Sequence, residues 1–249
     1  MTATGIAEEI RQFWDEDAAI YDRSPSHYPK RPHEVAAWSA TLRSLLPGPP
    51  ARVLDAGAGT GFLSLLLAAS GYQVTALDVS ARMLGVLKSK AADRGLDVRI
   101  VHADAASPPH GEEFDAVVER HLIWTLPDPS AALAAWHAAA PRGRLVLIEG
   151  SWGESGGIDG LRAAARKLVH RVRNHEPDHH GHYSDRVVQA LPHVGGIGPA
   201  EAVALVQASP WGHARLQRLR DVEWAHLEGR SLLDQLLGTA PWWAVTAGS

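Results

Sequence analysis

Asp55-Ala-Gly57-Ala-Gly59-Thr-Gly61 sets three glycines behind an acid, and two further acids, Asp78 and Asp104, end later apolar stretches. Glycine lets a backbone approach a ligand closely because no Cβ stands in the way. A phosphate-cradling Walker loop needs lysine and then serine or threonine, whereas Phe62 follows Gly61. A dinucleotide turn, G-x-G-x-x-G, needs its third glycine where Phe62 stands. An acid just ahead of the turn repels a pyrophosphate and attracts a cationic amino-acid group. Asp78 follows at about the twenty-residue spacing from which a carboxylate reaches ribose hydroxyls. The pattern therefore describes a pocket for an adenosine with a zwitterionic tail, and S-adenosylmethionine is the ligand with that chemistry.

The elements that must position these groups are legible in the same stretch. RVLDA, QVTALDV, VRIVHAD, FDAVVER and RLVLIEG read as strands. LSLLLAAS, SARMLGVLKSKAADRG and PSAALAAWHAAA read as the helices between them. Strands alternating with helices imply parallel strands joined by crossovers, a doubly wound α/β sheet of Rossmann-like form. Two N-terminal helices are expected, over 6–14 and from His33 to Leu46, with Pro32 opening the second. The chain divides into an N-terminal helical cap (1–50), a ligand-binding core (51–150), an inserted lid or substrate segment (151–198) and a completion of the core sheet (199–249). In the last part, HARLQRLRDVEW and PWWAVTAGS read as strands with a short helix at Leu232–Leu237 between them.

Bulk composition narrows the function. Among 249 residues, 24 Lys and Arg face 28 Asp and Glu, a net charge of -4 that argues against a nucleic-acid partner. Cysteine is absent, which removes disulfides, thiolate metal sites and cysteine nucleophiles. No apolar run approaches the roughly 20 residues that cross a bilayer. The opening MTATGIAEEIRQFWDED has no apolar core of a secretory signal, so no membrane partner and a cytoplasmic location are expected. The excess of arginine and alanine resembles chains from GC-rich bacteria.

VLDAGAGTG, ALDVS, HAD and FDAVVERHLIWTLPDP, in that order and spacing, resemble the class I S-adenosylmethionine-dependent methyltransferase family. Within it the chain is most similar to the small-molecule branch of ubiquinone-type and bacterial natural-product methyltransferases. The resemblance covers roughly residues 50–150 and implies a seven-stranded sheet with its last strand antiparallel. It implies that Asp55, Gly57, Gly59 and Gly61 surround the methionine portion and that Asp78 holds the ribose. Met83 would lie against the adenine, Asp104 would meet its amino group, and the Ala105 amide would sit beside it. Glu119 and His121 would lie near the sulfonium and the acceptor. Pro141-Arg142-Gly143-Arg144 departs from the two glycines that relatives often carry there.

Methyl transfer is an in-line displacement, favoured by a dry pocket that aligns the nucleophile. A base helps where the acceptor must lose a proton, and histidine suits that role at neutral pH. His121, His182, Tyr21 and Tyr183 are the candidates for proton handling. Tyr28, Trp124, Trp152, His179 and His180 are candidates for holding the acceptor. Nine tryptophans, several near the expected pocket, point to a flat aromatic or heteroaromatic metabolite, possible at nitrogen, oxygen or ring carbon, with indole one example. The segment His175–His182, HEPDHHGH, lacks H-E-x-x-H and is broken by Pro177 and Gly181, so no metal is expected. A non-catalytic binder or regulator that kept the cofactor site is the alternative. A nicotinamide-dependent oxidoreductase is disfavoured by the missing third glycine.

Overall fold

Five apolar runs form the parallel part of one sheet: β1 (Arg52–Ala56), β2 (Gln73–Asp78), β3 (Val98–His102), β4 (Ala116–Arg120) and β5 (Arg144–Gly150). β6 (Ala214–Arg218) and β7 (Trp242–Gly248) complete it, in the order β3-β2-β1-β4-β5-β7-β6. β7 runs antiparallel to both neighbours, as expected. The computed structural model describes residues 3–24, 27–109, 111–150 and 181–248, with isolated positions between 161 and 169.

Helices cover both faces because β1, β4 and β5 are buried almost throughout and read as continuous apolar strands. One face is packed by α2 (Pro32–Leu45), by α3 (Phe62–Ala69) and by the helix Arg220–Leu227, through Trp38, Leu42, Phe62, Leu66 and Val222. α4 (Ala81–Asp93) joins that face beside β2 through Leu87 and Ala91. The other face carries α5 (Pro129–Ala139) and the helix Pro199–Gln207, through Leu133, Trp136, Ala202 and Val206. α1 (Ala3–Asp17) lies outside these layers and packs on α4 and on the helix Asp185–Ala190.

Local chemistry sets the helix starts. Ser80 accepts the Met83 amide at the head of α4, and Asp128 accepts the Ala131 amide before Pro129 opens α5. One stretch departs from the sequence reading. HARLQRLRDVEW is strand only to Arg218, and its remainder is the helix Arg220–Leu227, with Val222 and Ala225 buried three residues apart. Glu223 secures that turn by accepting Arg218 Nε and the Trp242 amide, at 2.9 Å each. Residues 185–190, within the stretch expected as an inserted lid or substrate segment, form a helix capped by Ser184. The helix Leu232–Leu237 is where it was expected. Among the described residues, no helix is long and apolar enough to cross a membrane.

Candidate active site

A cavity of about 820 Å³, counted out to its open mouth, lies at the carboxyl ends of β1, β2 and β4. In a doubly wound sheet this is where the strand order reverses and ligands bind.

The glycine turn forms one wall. The Gly57 and Ala58 amides donate to the Leu77 carbonyl at 2.8 and 3.0 Å, which ties the turn to β2. Gly59 has φ +53°, and a Cβ built there would meet nothing within 4 Å. The backbone thus stands open where a ligand approaches. Asp78 is 8% exposed; its Oδ2 accepts the Gly59 amide and its Oδ1 the Ser80 amide, both at 2.8 Å. Each oxygen keeps a second lone pair for a ribose hydroxyl. Burial raises the Asp78 carboxyl from its usual range, and the two amides oppose the shift.

Met83, Asp104 and Ala105 also line this cavity. Asp104 Oδ1 takes the Ala106 amide at 2.8 Å, closing its own turn. Trp136 Nε1 donates to the Ala105 carbonyl at 2.8 Å and holds that turn from beneath. An acid beside an apolar thioether wall offers an acceptor for the adenine amino group and a flat apolar surface for its ring.

Asp55, 1% exposed, accepts Ser64 Oγ at 2.5 Å. Burial pushes its carboxyl up to about 7. It lines a smaller adjoining cavity with Gly57–Thr60, Phe62, Leu63, Tyr21 and Arg120.

At the end of β4 the chain leaves the strand abruptly. His121 has φ +61°, in the left-handed region, which costs a non-glycine residue about 1–2 kcal/mol. Its amide donates to the Ile148 carbonyl at 3.2 Å, and its Nδ1 is 2.8 Å from Glu149 Oε2. That turn brings Arg120 and His121 together along the cavity and sends Glu119 into the core. Glu119, fully buried, accepts the Leu122 and Ile123 amides with Oε2 at 2.8 and 3.2 Å, and it does not line the cavity. Burial lifts it to about 8. Glu149 is raised well above its usual value by burial and then by Glu119, and burial lowers His121 well below 6.5. The imidazole of this pair is neutral at physiological pH.

The remaining candidates separate. Tyr21 lines both cavities. Asp22 beside it accepts Thr60 Oγ1 at 2.6 Å and pairs with Lys90, fixing this turn over the glycines. Tyr28 does not face the cavity; it lies beneath Lys90, whose Nζ is 4.4 Å from the ring centroid. His182 is exposed, and Tyr183 packs on α1, 4.4 Å from Phe13 between centroids. Trp124 meets Tyr183 at 6.5 Å and is not a cavity wall. Trp152, His179 and His180 lie outside the described residues. Among the described residues, α1 contributes Ala7, Ile10 and Trp14 to the cavity wall, while most of the segment expected as a lid lies outside the described residues. Asp15 pins α1 by accepting Ser80 Oγ at 2.7 Å.

The tryptophan count was a packing signal. Trp38, Trp136, Trp211, Trp242 and Trp243 are core residues, and among the described residues Trp14 is the tryptophan that reaches the larger cavity. Sequence reasoning also missed Arg120, although its neighbours on both sides were chosen. Strict strand alternation puts Glu119 and His121 on one face, and the positive φ at His121 breaks that alternation. Among the described residues no group of three or more His, Asp or Glu is placed to hold a metal.

The sheet order, the open glycine turn and the acid closing β2 define a nucleoside-binding domain of the doubly wound class. Residues 53–143 match the family described as "Methyltransferase domain". That match covers the same stretch as the motifs that resemble the class I S-adenosylmethionine-dependent methyltransferases. The demethylmenaquinone methyltransferase of Clavibacter sepedonicus is 35% identical over 146 residues, 57% of this chain and 58% of its own. The ubiquinone biosynthesis O-methyltransferase of Aromatoleum aromaticum is 40% identical over 86 residues, covering 34% of this chain and 37% of its own. The chain thus spans about half the length, or less, of the curated relatives it matches. Among solved structures, geranyl diphosphate C-methyltransferase from Streptomyces coelicolor aligns over 100% of this chain and 99% of its own, with TM-score 0.59 and 15% identity. That likeness is one of fold.

Proposed function

We propose that the chain transfers the methyl group of S-adenosylmethionine to a small, flat aromatic or heteroaromatic acceptor, at nitrogen, oxygen or ring carbon. The observation that carries this reading is one cavity with a nucleoside end and an aromatic, histidine-bearing end. Asp78, Met83, Asp104 and Ala105 line the first; Trp14, Tyr21 and His121 line the second. When bound, the cofactor supplies an electrophilic methyl on a sulfonium. Asp78 then holds the ribose, Met83 and Asp104 hold the adenine, and the Gly57–Gly59 backbone borders the sulfur and its tail.

The protein's own contribution at the other end is alignment and exclusion of water. Trp14 and Ile10 from α1 close over the cavity, and Tyr21 closes its side. His121 takes a proton from an acceptor that must lose one. In the tautomer whose Nδ1–H donates to Glu149, Nε2 carries the lone pair such a base needs. Names of relatives that act on quinone precursors support a small-molecule acceptor of this kind. The fold division into cap, core, insertion and completion, and a cytoplasmic setting, are part of the same proposal.

The test is incubation of purified protein with methyl-labelled S-adenosylmethionine and a panel of phenols, aromatic amines and indoles. The expected product is one methyl group heavier. His121→Ala or Tyr21→Phe should slow single turnover by about 10²-fold with cofactor affinity kept, the scale of a positioned proton acceptor. Cofactor binding with no product from any acceptor class would favour the non-catalytic binder.

A further inference from the structure

We propose that Glu119 and Glu149 share one proton between them, and that the single negative charge left on the pair is the counter-charge for His121 when it takes a proton. The second half rests on the reading of His121 as the base; the first half rests on the packing of β4 against β5 alone.

The two glutamates are neighbours by register. Glu119 pairs with Leu147 across β4 and β5, and Glu149 follows two positions on. Alternation along a strand puts both on one face of the sheet, diagonally across adjacent strands. Both are buried, at 0% and 1% exposure. Glu119 Oε2 accepts the Leu122 and Ile123 amides, and Glu149 Oε2 lies 2.8 Å from His121 Nδ1. The other oxygen of each, Oε1, is buried without a hydrogen-bond partner among the described residues. Buried acceptors are costly when left unpaired. One proton resolves both, because it makes either Oε1 a donor and the other its acceptor. With no proton, two carboxylates face each other in a dry core; with two, donor faces donor.

The surrounding charges explain why one charge is kept. Burial raises both carboxyls, and Glu119 adds to the rise of Glu149, while Arg120 on β4 favours the ionised form of each. After burial, Arg120 and then His27, from the N-terminal turn, oppose a positive charge on His121. An imidazolium formed there needs an anion at Nδ1, and the pair supplies it. In the transfer, the methyl leaves sulfur for the acceptor and the C–S electron pair stays on sulfur. The acceptor's proton comes to rest on His121 Nε2, and the shared proton stays between the glutamates.

Infrared spectroscopy of the ligand-free full chain, with isotopically labelled glutamate to separate it from aspartate, counts the protons. At about pH 7.5 a glutamate in water is ionised, so a glutamic-acid carbonyl band reports buried groups. The expected band amounts to one proton per chain and shifts in heavy water. It should vanish in Glu119→Gln and equally in Glu149→Gln, because the amide then stands where the proton was and the remaining carboxyl carries the charge. A band that survives either substitution, a band of two protons, or no band in the parent overturns the sharing. The parent also decides alone if a variant does not fold. A proton held between two carboxyl oxygens gives a far-downfield NMR resonance that is not attached to nitrogen, and its absence overturns the sharing too. The counter-charge is read from single turnover. Each single variant keeps one charge and Glu119→Gln/Glu149→Gln keeps none, so the double variant should be slower by about tenfold or more than the two single effects multiplied. Effects that simply multiply overturn that role. A parent that methylates no acceptor overturns the base reading and the counter-charge with it, whereas the infrared band tests the shared proton independently.

Discussion

Replacing Asp78 by asparagine changes one atom in a buried carboxylate whose two oxygens both accept backbone amides, from Gly59 and from Ser80 at 2.8 Å. Whichever way the new amide turns, its NH₂ meets a donor. A buried donor left without an acceptor costs about 1–3 kcal/mol. One term runs the other way. Burial disfavours the ionised carboxyl, so removing its charge returns part of that penalty. The ligand-free protein should therefore lose stability near the low end, about 1 kcal/mol, which for a chain of this size is a fall of about 2–4 °C in Tm. Ligand binding has no such offset. The turn that must lie against the ligand is loosened at Gly59, and a charged acceptor for the ribose is gone, a further loss of about 1.5–3 kcal/mol. S-adenosylhomocysteine should bind about 10- to 150-fold more weakly by calorimetry, with the melting curve only slightly shifted. An asparagine variant with parental affinity would refute the claim that this carboxylate both ties the turn and holds the ribose.

Two further outcomes follow from the surroundings of the site. Asp22→Asn weakens the tether from the Tyr21 turn to Thr60 and Lys90, so S-adenosylhomocysteine should dissociate about 3- to 10-fold faster, the scale of one modest hydrogen-bonded contact, with association little changed in stopped-flow mixing. Identical dissociation rates would mean that this turn does not restrain the ligand. Glu119 is raised to about 8 and Asp55 to about 7 by burial, so over neutral pH the folded chain binds more protons than the unfolded one. Their contribution is complete below about pH 4 and is lost as pH rises through the folded values. His121 and His226, lowered by burial, act in the opposite sense mainly below pH 7. The ligand-free Tm should accordingly fall between pH 7 and 8.5, and Glu119→Gln should flatten that fall; a parent Tm that rises across this window contradicts the assignment.

The glycine turn and the strand ends of the candidate site were legible because they are built from local pattern. Asp55, the glycines, Asp78 and Asp104 sit at strand ends, and strand ends follow from apolar runs and turn residues alone. The acceptor end was legible only in part, because it is assembled from distant segments. Trp14 and Ile10 reach the cavity through the docking of α1, which depends on Asp15 meeting Ser80, 65 positions away in the chain. Tyr28 was misplaced for a similar reason: its ring is claimed by Lys90 and the apolar edge of α4. The large tryptophan count suggested a stacking pocket, yet a doubly wound sheet needs bulky residues where helices cross it, and five of the tryptophans went there. The helix Arg220–Leu227 was hidden because RLRDVEW alternates well enough for a strand, and only the burial of Val222 and Ala225 against the sheet decides for the helix.

Four buried carboxyls, Asp55, Asp78, Glu119 and Glu149, lie near the carboxyl ends of β1, β2, β4 and β5, and burial raises each of them. A site that holds acids at such cost is complementary to a cationic ligand, but complementarity at the wrong atom would slow methyl transfer. The sulfonium loses its charge as the methyl departs, so a carboxylate against the sulfur would stabilise the starting state more than the transition state. The fold keeps its acids away from that point on the proposed reading. Asp78 is engaged at the ribose and Asp55 at the tail, each tied by a hydroxyl or amide donor. Glu119, the acid nearest in sequence to the reacting end, is drawn beneath the turn onto the Leu122 and Ile123 amides. What remains beside the acceptor is a neutral imidazole, a phenol and an indole, with Arg120 to one side. Those are groups that align a nucleophile and accept a proton without anchoring the charge that the reaction must discharge.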